Sequence, residues 1–178
     1  GNALSTDRNL VGGLDMKLAT SRFQKNKNLA LTMFGLISDT PGKTDNTISW
    51  GADVAYPNDF LNFGLGHYEV GENFVAGIGF VPRTGVKASY GNISIGPRPN
   101  KWGILQVKTG GGFNYLTNFD QVMVTRVLNV QPLGIRFKSG EEFSYSLYQQ
   151  YEFLSKDFPI FSGFIIPQNA YTFWYHNI

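Results

Sequence analysis

Alternation is the feature that most constrains what this chain can fold into. Leu10, Gly12, Leu14, Met16 and Leu18 share one parity, with Val11, Gly13, Asp15, Lys17 and Ala19 on the other. Leu29, Leu31, Met33 and Ile37 fall on one parity, and so do Ile48, Trp50, Ala52, Val54 and Tyr56. Successive side chains of a strand point to opposite faces, so each segment predicts a strand with one oily face and one small or polar face. Strands of this length, rich in aromatics and glycines, point to a β-barrel, including the kind whose oily face meets lipid.

Turn residues punctuate the pattern. Strands are expected over 9–20, 29–38 and 47–56, separated by Lys25-Asn26-Lys27-Asn28 and by a loop built on Pro41-Gly42. A tight turn at Pro57-Asn58-Asp59 leads into a fourth strand near Phe60. Alternation weakens and glycines gather over 68–85, which predicts a loop, a bulge or an inward excursion. Strand character resumes over 86–95, where the apolar parity changes between Tyr90 and Ile93; Gly91 is the expected bulge. The long strand 102–117 contains Gly110-Gly111-Gly112, which lets a sheet bend or another group approach closely. Pro132 argues against a fully paired central strand at that point. Ser139-Gly140-Glu141 is a hairpin turn, 159–169 a connection, and Tyr171, Phe173 and Tyr175 start a last strand. The expectation is a single all-β domain over 1–178: an antiparallel up-and-down (meander) β-barrel or barrel segment of eight to nine strands, without helices.

Composition narrows the function classes. Aromatics make up 15 % of the chain and charged residues 16 %, against about 25 % charged in ordinary soluble domains. A soluble exterior needs more charge than the polar parity supplies, so the balance leans towards lipid. A net charge of +2 without any basic run excludes a nucleic-acid partner and a polybasic membrane tether. With no cysteine there are no disulfides, thiolate metal sites or cysteine nucleophiles. No stretch reaches the roughly 18 apolar residues of a membrane-spanning helix. Residues 1–9 carry no secretory signal, so export implies a mature chain or a piece of a longer one, completed by further strands or chains.

The segment GLGHYEVGENFVAGIGFVPRTG is more specific than the alternation. Tyr68, Gly71-Glu72-Asn73-Phe74 and Gly79-Phe80-Val81-Pro82-Arg83 resemble the C-terminal outer-membrane β-barrel domain of Gram-negative proteins whose N-terminal part is a carbohydrate-binding-module family 9-like domain. The stretches at Leu10 to Asp15 and Ser139 to Phe143 sit where that family has comparable strands and turns. Where the family has Asn-Pro-Glu, this chain has Val75-Ala76-Gly77-Ile78, so no role for that acidic residue transfers. The resemblance implies an outer-membrane location, lipid as a partner with carbohydrate as a candidate second, and a barrel longer than this chain. It carries no established activity.

Chemistry-bearing residues are sparse. The histidines are His67 and His176; neither lies in a metal-spaced cluster and no G-x-S-x-G elbow is present. A serine hydrolase would need one of them beside a serine and a carboxylate. Glu69 and Glu72 read as turn carboxylates rather than a glycosidase pair. No metal, cofactor or enzyme activity is expected. Asp15, Lys17 and Asp53 are expected to face a lumen with Arg126, and with Arg136 and Lys138, as a salt-bridge network or a polar solute path. Trp50, Tyr56, Tyr68, Tyr115, Tyr145, Tyr151, Tyr171, Trp174 and Tyr175 suit girdles where rings sit at headgroup level, or platforms that stack on sugars. Tyr68, Glu69, Glu72, Phe74, Phe80 and Arg83 form the candidate ligand or constriction motif, with both Phe rings packed inward and Arg83 paired with Glu69 or Glu72. The favoured reading is a non-enzymatic outer-membrane barrel component for anchoring, or for passage of a carbohydrate-related solute. The alternative is a soluble β-barrel holding a lipophilic or sugar ligand in an aromatic cavity.

Overall fold

A computed structural model describes residues 8–77 and 79–178; Ile78, the last residue of the stretch that departs from the family pattern, lies outside them, as do residues 1–7. The described chain is β throughout. Strands β1 (Leu10–Phe23), β2 (Lys27–Asp39), β3 (Ile48–Pro57), β4 (Leu61–Val70), β5 (Val86–Ile95), β6 (Ile104–Asn118), β7 (Met123–Phe137) and β8 (Glu142–Phe153) follow one another. A small hairpin of β9 (Phe158–Phe161) and β10 (Phe164–Ile166) precedes β11 (Ala170–Asn177). The main sheet has nine strands in the order β1-β2-β3-β4-β5-β6-β7-β8-β11, each antiparallel to the next. It is an up-and-down barrel segment: β1 and β11 are its free edges and the sheet does not close.

The meander sorts the connections by end. One end carries turns 24–26, 58–60 and 138–141 and the loop 96–103; the other carries 40–47, 71–85, 119–122 and 154–169. The two longest connections therefore share an end. The β9–β10 hairpin occupies what the sequence predicts as a plain connection; Phe161 and Phe164 stack at 5.3 Å around Gly163, whose φ is +85°.

Facing residues confirm the alternation. Leu29, Leu31, Met33, Trp50, Val54 and Leu147 lie on one face, and Thr32, Ser49, Asp53 and Ser146 on the other. Two details differ from expectation. Pairing runs without a break through Gly91 on both sides; a Cβ there would stand 2.8 Å from the Phe113 ring, so the glycine makes room for a neighbour rather than a bulge. Register shifts lie elsewhere: between Thr20 and Phe23, at three places along β6, and between Val130 and Leu133, where Pro132 sits unpaired in an otherwise two-sided strand.

The buried cluster of Val70, Phe74 and Val86 gathers Leu36, Tyr68, Ala76, Val81 and Leu116. All strand members of this cluster belong to the small-residue face. Asn9, just before β1, donates to Val75 O at 3.1 Å, while Arg83 reaches Glu152 of β8 at 3.7 Å. In a flat sheet β1 and β8 would lie seven strand spacings apart, about 34 Å. Residues 75–83 include a turn closed by Gly79 N–H to Ala76 O, so they are far from extended. The sheet therefore curls with its small-residue face inside.

Candidate functional site

Residues 71–85 form a strap across the inner face at the long-loop end. Backbone bonds hold its two feet: Gly71 N–H to Ile48 O at 2.8 Å, and Gly85 N–H to Val70 O at 2.9 Å. Val75 N–H donates to Ser38 Oγ at 3.1 Å, and Asn73 bonds the backbone of Asp45 and Asn46. Gly71 admits no side chain, since a Cβ would stand 2.0 Å from Asn46 O, and Gly77 and Gly85 take positive φ.

The strap motif meets its expectations unevenly. Phe74 is 5 % exposed and anchors the strap in the core cluster. Phe80 is 88 % exposed, so the expectation that both rings pack inward fails: the turn at Ala76–Gly79 throws the second ring outward. Arg83 pairs with Glu152, not with Glu69 or Glu72. Glu69 cannot receive it because β4 runs on to Val70 and points Glu69 to the outer face, where it pairs with Lys87 at 3.6 Å. Glu72 turns its stem towards Gly85. Tyr68 faces inward, with its ring 6.3 Å from Tyr90.

Asp15, Lys17 and Asp53 share the inner face, beside Phe34, Thr32 and Gly66. Arg126 does not: it faces Tyr115 and Tyr151 on the apolar side and donates to Gln149 Oε1 at 2.7 Å. The cause is the Pro132 bulge, which reverses parity between Arg126 and the inward Arg136. The expected network is also absent among the described residues, because Arg136 pairs with Glu142 at 2.5 Å and Lys138 sits in a turn. Sequence reasoning missed Gln106, which is buried and donates to Gly96 O at 3.0 Å, and the Arg98–Asp59 fork at 2.6 and 2.7 Å that ties the short-turn end together. That fork holds the Asp59 carboxyl below the usual carboxylate value.

The outer face is apolar and uncovered. Leu14, Leu18, Ile37, Ile48, Leu65, Ile93 and Val130 are all exposed on it. Its apolar band runs obliquely to the rows of facing residues. One row reads Met16, Met33 and Ala52 on β1–β3, then His67, Ser89, Tyr115, Arg126, Tyr151 and Thr172 on β4–β8 and β11. At the short-turn end, the bulge after Thr20 carries Phe23 onto this face, opposite Lys27 and 6.2 Å from the Tyr56 ring; it is the last apolar residue of β1 there, and its row arrives on β8 at Tyr145. The last apolar residue of β8 on this face is Phe143, two residues further. Two residues at about 3.3 Å each, across about 34 Å of sheet, set the margin at roughly 10° to the rows.

Within this face the structure brings His67 next to Ser89 and Glu69. Ser89 Oγ lies 2.8 Å from His67 Nδ1, and Glu69 Oε1 lies 3.4 Å from His67 Nε2. The Trp50 ring sits 5.5 Å from the imidazole, and Lys87 lies 4.8 Å over the Phe119 ring. His176 faces Leu147 near the β11 edge, with Tyr145 at 6.1 Å. No grouping of three or more His, Asp or Glu suited to a metal ion occurs among the described residues. Comparison with family models, with curated proteins and with solved structures returns no match.

Proposed function

We propose that this chain is part of an outer-membrane β-barrel of a Gram-negative bacterium. Its apolar face lies against lipid, and its inner face lines a lumen that residues 71–85 narrow. The observation that carries the reading is the uncovered apolar face, opposite the small-residue face that the sheet curls inside. Strands of a membrane barrel tilt by about 35–45°, so a level slab of lipid crosses their rows at an angle. The band on β2, from Leu29 to Ile37, is about 26 Å long, or about 20 Å at that tilt before its side chains are added, of the order of the apolar height of about 25 Å of these barrels. The connections support an orientation: short turns face the periplasm and the long loops, strap included, face outward. Tyr56, Phe63, Tyr115 and Tyr151 then serve as the girdle aromatics.

The role is anchoring, or passage of a carbohydrate-related solute within a larger exported protein, as the resemblance of the strap motif implies. Asn92, Asn114, Asn129, Tyr148 and Gln150 line the inner face with uncharged hydrogen-bonding groups suited to hydroxyl-rich solutes. Fractionation of the full protein tests the location. Recovery with membranes, extraction only by detergent and heat-modifiable gel migration are expected. A protein that remains monodisperse in buffer without detergent overturns the reading in favour of a soluble barrel with its apolar face turned inward.

A further inference from the structure

We infer that Ser89, His67 and Glu69 form an ester-hydrolysing site on the outer face, directed at glycerophospholipid-type esters. The inference rests on the lipid-facing reading for the source of its substrate, while its chemistry rests on the geometry of the three side chains.

His67 and Ser89 are facing residues of β4 and β5, and Glu69 follows His67 by two on the same face. The carboxylate of Glu69 only accepts, so it selects the tautomer with the proton on Nε2. Nδ1 is left as the acceptor for the Ser89 hydroxyl, 2.8 Å away and within reach for proton abstraction. A nucleophile, a base and a group that orients the base thus stand in a chain. The order of the ring nitrogens differs from that of the serine proteases, but either nitrogen of an imidazole is basic enough for the task. The His67 side chain is 37 % exposed, so a substrate can reach it.

The surroundings define the ester. Towards the middle of the band, a shallow groove of about 320 Å³ borders His67 and Ser89, with Leu31, Ala52, Val54 and Leu65 as its apolar walls. It accepts a hydrocarbon chain. Towards the margin lies Lys87, two residues before Ser89 on the same face, whose cation suits an anionic head and a developing oxyanion. Chain, ester and headgroup of a lipid standing in the bilayer therefore fall in that order along the strands.

Ser89 Oγ attacks the carbonyl carbon as His67 Nδ1 takes its proton. The bond to the alcohol oxygen breaks, and that oxygen leaves with the proton returned by His67. Water, deprotonated by His67, then attacks the acyl-serine carbonyl and frees the fatty acid, with the proton going back to Ser89. The net change is ester plus water to acid plus alcohol.

The test uses the full protein with a fluorophosphonate probe and, separately, with phospholipid in mixed micelles. A probe adduct on the Ser89 peptide is expected. Its rate should fall about 100-fold or more in His67→Gln, and hydrolysis should cease in Ser89→Ala. Glu69→Gln should lower the rate and shift its pH profile, which a purely structural role would not do. Absence of an adduct on folded wild-type protein overturns the site even if the protein requires detergent. An adduct on a protein that needs no detergent keeps the site and discards the lipid-facing reading.

Discussion

Arginine placed at two positions of one sheet row offers the sharpest test of strand tilt in a bilayer. Met33 on β2 and Thr172 on β11 belong to the same row, seven strand spacings apart. Met33 is central on β2, between Leu29 and Ile37. With the usual barrel tilt of about 35–45°, a traverse of about 34 Å raises Thr172 by roughly 20 Å towards the long-loop end. Half of an apolar slab is only about 12 Å, so Thr172 stands beyond the margin. Met33→Arg should cost about 2–4 kcal/mol and Thr172→Arg no more than about 1 kcal/mol. Thr32→Arg, beside Met33 but on the inner face, should cost little. Urea unfolding in phospholipid vesicles, followed by tryptophan fluorescence, measures all three. Equal costs at Met33 and Thr172 would refute the tilt, and equal costs at Met33 and Thr32 would refute the lipid-facing assignment.

Phe74→Ala should destabilise the chain by about 3 kcal/mol and expose residues 71–85 to protease, whereas Phe80→Ala should leave stability unchanged; differential scanning calorimetry with limited proteolysis reads both. Arg83→Ala removes a partly exposed pair worth about 1 kcal/mol at most, so the unfolding midpoint should hold while cleavage within the strap accelerates; an unchanged cleavage rate would show that Arg83 does not hold the strap. The Asp59 carboxyl is held low, chiefly by its hydrogen bonds from Arg98, so its contribution is present well above its ordinary value of 3.8 and is lost as pH falls through its folded value below that. The difference in melting temperature between wild type and Asp59→Asn should therefore be constant near neutrality and shrink in acid; a difference that grows in acid would contradict the fork.

Faces were readable from the sequence wherever a strand ran without interruption. The parity of Leu31, Trp50 and Leu147 needs only the two-residue period, and the sheet obeys it. Arg126 was misplaced because one bulge at Pro132 moves everything beyond it to the other face, and the sequence marks the proline but not how many residues the bulge absorbs. The Gly91 bulge was expected because Tyr90 was counted as part of the oily face; its ring in fact points inward, over Gly66. Contacts across strands were out of reach altogether. Ser89 meets His67, and Glu152 meets Arg83, through a register set by the length and folding of residues 71–85. The hydrogen bonds at the strap's feet hold that register, and no local pattern of the sequence spells them out.

Closure of the sheet follows a parity of its own. Each hairpin reverses the chain, so the first and ninth strands of a meander run in the same direction, and β1 and β11 do so here. A direct seam between them would be parallel, in a sheet where every other pair is antiparallel. A second copy turned about the barrel axis would meet the same conflict, because its β1 would also run parallel to β11. An antiparallel seam requires an odd number of intervening strands, which makes the total even, as in single-chain bacterial outer-membrane barrels. Until those strands are paired, β1 offers 14 residues of open edge, and an edge of that length invites aggregation. In the proposed barrel, the same edge therefore defines what would complete it: strands of the same tilt, odd in number, apolar outside and small or polar within.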